Sequence, residues 1–123
     1  MDLGLKNKTA LITGASRGIG FAVAECLANE NCDLHLVATD RLKLERAKKT
    51  IEKASKINIS TQAVDLSIES ELSKLSDKLG EADILINNAG AIPRGGLEDI
   101  DDKNLRKAWE LKLFGYINLS RMA

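Results

Sequence analysis

Three glycines, Gly14, Gly18 and Gly20, follow the short apolar run Ala10-Leu11-Ile12-Thr13 and precede a helical pattern. A strand that turns through glycines into a helix start is an anion site, because backbone N–H groups and the positive end of the helix dipole converge there. The spacing G-x-x-x-G-x-G is not the G-x-G-x-x-G fingerprint, and no Gly-Lys-Ser/Thr closes it as a Walker loop requires. Polar groups also follow three later apolar runs, at Ala38-Thr39-Asp40, Asp65-Leu66 and Asn87-Asn88-Ala89-Gly90. The only histidine, His35, sits inside Leu34–Val37 and reads as a strand residue. Cys26 and Cys32 form no C-x-x-C and read as small reduced apolar residues; no metal site is expected.

The elements that must position these residues follow from periodicity. Ala10-Leu11-Ile12 is a short strand covered on both faces. Ile19, Ala22, Val23, Cys26 and Leu27 recur at helical spacing, and Asn31 stands where a left-handed helix stop is wanted. Leu34–Ala38 is a second buried strand, and Leu44, Ala47, Ile51 and Ala54 mark a second helix with a solvated lysine face. A third strand spans 57–64 and ends at Asp65. Ser67 then caps a helix whose stripe is Ile68, Leu72, Leu75 and Leu79, and Gly80 ends it. Asp83–Asn87 is a fourth strand, residues 88–96 a loop, and a last helix runs from about Asp102 to the end. Strands alternating with helices predict an α/β, Rossmann-type doubly wound parallel sheet in the order 3-2-1-4 with flanking helices, a single partial dinucleotide-binding domain over 1–123. Ligands bind such sheets beyond the carboxyl ends of the strands, where all four polar stretches fall.

Composition narrows the class. Lys+Arg and Asp+Glu both number 18, so no basic face for nucleic acid or membrane is expected. No apolar run approaches a membrane span, and the first residues do not read as a signal peptide, which implies a cytoplasmic protein.

Thr13-Gly-Ala-Ser-Arg-Gly-Ile-Gly20 resembles the T-G-x-x-x-G-x-G cofactor motif of the short-chain dehydrogenases/reductases, and Asn87-Asn-Ala-Gly90 resembles their N-N-A-G motif. The likeness runs from residue 5 onward. It implies that Gly14, Ser16, Arg17, Gly18, Ile19 and Gly20 line the dinucleotide, the glycines letting the backbone approach the pyrophosphate and Ile19 packing beneath. It implies that Asp65 and Leu66 face the adenine and that Asn87 ties the fourth strand to the sheet. Ala89 and Gly90 then floor the site near the nicotinamide ribose. The family's NAD-specifying acid falls on Ala38, and the next position is Thr39. With Arg17 before the second glycine, these favour NADP, with Thr39 bonding the 2′-phosphate. Asp40 argues for NAD unless it caps the following helix.

The resemblance also implies hydride transfer between the nicotinamide and an alcohol or carbonyl carbon of a small substrate. The family's serine and Y-x-x-x-K are not in this sequence; Tyr116 is followed by Ser120 at that interval and reads as a packing residue. The chain therefore reads as the cofactor-binding front half of an oxidoreductase, the alternative being a non-catalytic dinucleotide module or inactive fragment. Lys112 replaces an asparagine that supports the family's proton relay. On a stripe of Leu105, Trp109, Lys112, Tyr116 and Leu119 it either snorkels to solvent or takes over that relay. Phe114, between Lys107 and Arg121 on the other side, fits either a homo-oligomer contact through the last helix or an isolated exposed residue. Ile84-Leu85-Ile86 is expected to present an unpaired edge prone to self-association. Pro93, Arg94 and Gly95 are expected to border the substrate.

Overall fold

A computed structural model describes residues 2–123. The order is β1 (Thr9–Thr13), α1 (Gly18–Asn29), β2 (Asp33–Ala38), α2 (Arg41–Glu52), β3 (Ile59–Ala63), α3 (Glu69–Leu72), a 3₁₀ turn (Ser73–Leu75), α4 (Ser76–Glu81), β4 (Ile84–Ile86), α5 (Asp102–Trp109), a π-helical segment (Glu110–Gly115) and α6 (Tyr116–Met122). The strands form one parallel sheet in the order β3-β2-β1-β4. This is the doubly wound arrangement expected from the β-α alternation.

Strand parity divides the core into two layers. Ala10 and Ile12 of β1, with Leu34 and Leu36 of β2, face α1 and α2 and pack with Ala24, Ala28, Leu44, Ala47 and Ile51. Leu11 and Val37 face the other way and pack with Val64, Leu66, Leu72, Leu75, Leu79 and Leu119. β4 pairs only with β1 among the described residues, through Ala10↔Ile84 to Ile12↔Ile86, and its three residues are half-buried. Asn31 adopts φ 61°, the left-handed stop anticipated after α1.

Several expectations shift. The fully buried face of α1 is Gly20, Ala24 and Ala28; of the expected stripe Val23 and Leu27 are half-buried against the core, while Ile19, Ala22 and Cys26 are exposed. Small residues let the helix lie close on the sheet, a feature that a search for bulky residues overlooks. Cys32 is buried and Cys26 is not, so only Cys32 belongs to the core. α2 ends at Glu52, leaving Ala54 exposed, and β3 is shorter than 57–64. Ser67 does not cap a helix. Its hydroxyl donates to Asp65 Oδ1 (2.6 Å), α3 begins two residues on, and Ile68 is exposed. Gly80 lies inside α4, which runs on to Glu81. The last helix is interrupted by the π turn, so its buried line is Ala108, Gly115 and Leu119, with Trp109 and Lys112 exposed.

His35 is a strand residue, 3% exposed, on the face of Leu11 and Val37. Gln62 Nε2 donates to the Lys74 carbonyl (2.8 Å), which leaves Oε1 to accept from His35 Nε2 (3.1 Å); Nδ1 accepts from the Ser60 hydroxyl (2.6 Å). The ring is thus held neutral, and burial above all pulls its pKa below the ordinary 6.5. A depressed folded-state pKa gives stability that is fully present above 6.5 and is lost as pH falls through the folded value. The urea midpoint is therefore expected to drop between pH 7.5 and 5, and His35→Gln to flatten that drop; equal slopes would contradict this reading.

Candidate functional site

The carboxyl ends of the four strands open on one cleft of about 540 Å³. Gly14, Ser16, Arg17 and Gly18 contribute from the turn after β1, and Ala38 and Thr39 from the end of β2. Val64, Asp65 and Leu66 follow β3, and Asn88 to Ala91 follow β4. A second hollow of about 380 Å³ shares Thr39, Asp65, Ala91 and Leu111 with it and extends to Pro93, Asn104 and Lys107.

The glycine turn has specific reasons for its glycines. Gly14 has φ +66°, and a Cβ there would stand 2.9 Å from Ala89 Cα. Gly18 has φ +60° with open space where its Cβ would be, so the turn is free of protein on that side. Gly20 lies against the Gly14 carbonyl, where a Cβ would collide. α1 starts here with no side-chain cap and no acidic residue in its first turn. By contrast Asp40 caps α2 through the Lys43 N–H (3.1 Å) and Asp101 caps α5 through the Asn104 N–H (2.8 Å). The first N–H groups of α1 and its dipole therefore remain available to an anion in the cleft.

The turn after β4 is locked to β1. Thr13, fully buried, donates its hydroxyl to the Ile86 carbonyl (3.3 Å) and accepts from the N–H groups of Asn88 and Ala89 (3.0 Å each). Asn88 Nδ2 donates to the carbonyls of Thr13 and Gly14 (3.2 Å each). The tying role expected of Asn87 thus belongs to Asn88. Because Ile12 pairs with Ile86, the second asparagine, not the first, comes level with Gly14. Asn87 instead donates to Ser120 Oγ (3.0 Å), and its Oδ1 is buried without a partner.

Other expected residues divide. Ser16, Arg17, Gly18, Thr39, Asp65, Leu66, Ala89 and Gly90 are brought to the cleft. Ile19 projects to solvent, 76% exposed, and neither Asn87 nor Gly20, which is buried behind the Gly14 carbonyl, is among the cleft's lining residues. Pro93 lines the second hollow, whereas Arg94 does not and Gly95 packs on Asp99. Arg17 is exposed and takes part in no ion pair among the described residues. Asp40 is engaged by the Lys43 N–H, which chiefly holds its carboxyl below its ordinary range, and its Oδ2 lies 3.7 Å from Lys43 Nζ. The Ser67 hydroxyl does the same for Asp65, with Lys107 adding a smaller pull. Tyr116 is not merely packing: its hydroxyl donates to the Ala89 carbonyl (2.6 Å) and accepts from Lys112 Nζ (3.2 Å). The i,i+4 spacing of Lys112 and Tyr116 was the sequence signal for this pair, but the face it occupies depends on the π turn. No group of three or more potential metal ligands occurs, and no helix is long and apolar enough to cross a membrane, among the described residues.

A family model described as short chain dehydrogenase matches residues 8–123. The chain belongs to the short-chain dehydrogenase family. A 7alpha-hydroxysteroid dehydrogenase of Escherichia coli is 33% identical over 129 residues, covering 98% of this chain and 48% of that protein. A 3-dehydrosphinganine reductase of Arabidopsis thaliana is 32% identical over 119 residues, covering 97% of this chain and 36% of that protein. The crystal structure of L-sorbose reductase from Gluconobacter frateurii, complexed with NADPH and L-sorbose, superposes with a TM-score of 0.91 at 32% identity, over 98% of this chain and 48% of that one. A short-chain dehydrogenase from Sphingobium yanoikuyae in complex with NADPH gives 0.88 at 30% identity, over 94% and 46%. This short-chain dehydrogenase chain thus spans about half, or less, of the length of the relatives it matches, and its cleft is the site where the family motifs meet.

Proposed function

We propose that the cleft binds NADP(H) and that it serves hydride exchange between the nicotinamide and an alcohol or carbonyl carbon of a small substrate in a cytoplasmic oxidoreductase. The residues fit such a cofactor: the uncapped start of α1 suits a pyrophosphate, Gly18 leaves open space before it, and Gly14 and Gly20 permit the close packing that forms the turn. The observation that carries the choice of NADP is the set of charges at the ends of β1 and β2. Arg17, in no ion pair among the described residues, lines the cleft with Ala38 and Thr39, and Asp40, the one acid nearby in sequence, is used as the cap of α2. A 2′-phosphate meets a cation and a hydroxyl there, and the Asp40 carboxylate is engaged as a cap rather than held ready for a 2′-hydroxyl. The NADPH complexes of the sorbose reductase and of the Sphingobium dehydrogenase support the same reading.

When bound, the nicotinamide supplies or accepts the hydride. The chain's own residues would bind and orient it: the N–H groups at the start of α1 would hold the pyrophosphate, Asp65 and Leu66 would flank the adenine, and Ala89 and Gly90 would floor the nicotinamide end. Lys112, in place of the relay asparagine, holds a proton at the rim of that end.

Titration of the chain with NADPH and NADH tests this. NADPH is expected to bind at least about tenfold more tightly, the worth of one charge-assisted contact. Arg17→Ala is expected to remove most of that preference and leave NADH affinity nearly unchanged. Equal affinities in the unmodified chain, or a preference for NADH, would overturn the choice.

A further inference from the structure

We propose that Tyr116 and Lys112 form a clamp that positions the nicotinamide end of the cleft, Tyr116 being a positioning residue and Lys112 the cation that strengthens it. The proposal rests on the dinucleotide reading above, but its geometry is independent of it. β4 stops at Ile86, and residues 87–94 have no regular structure to hold them. Asn87 and Asn88 anchor their own positions, and at Ala89 two side chains from neighbouring elements do so. Thr13 Oγ1 takes the N–H groups of Asn88 and Ala89 from the side of β1. The Tyr116 hydroxyl takes the Ala89 carbonyl from the side of the last helix, at 2.6 Å. Ala89 is therefore fixed at both its backbone ends, and the next residue is Gly90, on the cleft wall.

The clamp depends on a close approach of the helix. Gly115 lies against the Leu66 carbonyl, where a Cβ would come within 3.2 Å, and this glycine ends the π turn that leads into Tyr116. Lys112 Nζ donates to the same phenol oxygen at 3.2 Å and lies 5.0 Å from the ring centroid. An oxygen that accepts from an ammonium donates its own proton more strongly, so each bond reinforces the other. Lys112 also stands at Gly90, its Nζ 3.8 Å from the position a Cβ would take. A phenol that only filled space would need neither the carbonyl nor the ammonium.

The test separates the two ends of the ligand. Kd values are measured for NADPH and for 2′,5′-ADP, which lacks the nicotinamide half, in the unmodified chain and in Tyr116→Phe, Lys112→Met and Lys112→Arg. Tyr116→Phe is expected to raise the Kd for NADPH by about 5–10-fold, one hydrogen bond's worth, and to leave that for 2′,5′-ADP unchanged. Lys112→Met is expected to act in the same direction and Lys112→Arg to restore affinity. Equal weakening of both ligands, or no change in either, would overturn the clamp. Amide exchange at Ala89, whose N–H donates to Thr13 Oγ1 while its carbonyl accepts from Tyr116, reads the clamp without any ligand. It is expected to accelerate about tenfold in Tyr116→Phe, and unchanged exchange would overturn the proposal. If the unmodified chain binds neither ligand, the dinucleotide reading fails by itself and the exchange measurement alone decides the clamp.

Discussion

Gly20→Ala is expected to abolish dinucleotide binding and to destabilise the chain by ~3 kcal/mol, at the upper end of the cost of overpacking. The position is a helical residue with ordinary φ, so the cost does not come from backbone strain. It comes from the added methyl, which would collide with the Gly14 carbonyl and lie 2.5 Å from Asn88 Nδ2. Neither neighbour can retreat cheaply. The Gly14 carbonyl belongs to the turn after β1, and Asn88 Nδ2 is already bonded to that carbonyl and to Thr13 O. Relieving the clash would move α1 off the sheet or break the tie between β1 and the turn after β4, and either displaces the N–H groups that face the anion. Gly80→Ala is the control. Gly80 is an exposed residue inside α4 with nothing within 4 Å of a new Cβ, so alanine there is expected to stabilise by about 0.4–1 kcal/mol. Urea unfolding and NADPH titration on both variants check the pair; a Gly20→Ala chain that binds normally would contradict the close approach.

Thr13→Val is expected to cost ~3–5 kcal/mol, because three buried backbone partners lose one hydroxyl and each unsatisfied group costs about 1–3 kcal/mol before relaxation. Valine keeps the β-branched shape that suits a fully buried strand end, so packing is conserved and the loss is polar. The Ile86 carbonyl and the N–H groups of Asn88 and Ala89 all depend on Thr13 Oγ1. The effect reaches function because these same residues set the cleft wall at Asn88 to Gly90. Thr13→Ser, which keeps the hydroxyl, is expected to retain most of the stability. Denaturant midpoints and amide exchange at Asn88 and Ala89 read the difference; a Thr13→Val chain as stable as Thr13→Ser would contradict the role given to the hydroxyl.

Much of this was legible in the sequence because it follows from periodicity and strand ends. Apolar runs at Ala10–Ile12 and Ile84–Ile86, and the largely apolar Leu34–Val37, mark parallel strands, and right-handed crossovers leave one strand order. The polar residues after each run then had to share one edge of the sheet. Other details needed three dimensions. The sheet-facing side of α1 is made of Gly20, Ala24 and Ala28, whose smallness is the reason for their burial, whereas Ile19 and Cys26 drew attention by their apolar character and point outward. The choice between Asn87 and Asn88 turns on one residue of register against β1, which motif spacing does not carry. A regular helical period does not carry through the last helix. The π turn at Glu110–Gly115 shifts its phase, exposes Trp109 and Lys112, and brings the hydroxyl of Tyr116 to the Ala89 carbonyl.

The central claim is that a dinucleotide lies across the carboxyl ends of β1 and β4, on the turn at 14–20 and the turn at 88–90. Backbone amide chemical shifts followed during addition of NADP⁺ test it most directly. Saturable shifts are predicted at Ser16 to Gly20 and at Asn88 to Gly90, with none at the amino ends of the strands around Asp33 and Asn58. No saturable shifts, or shifts confined to that opposite end of the sheet, would contradict the account.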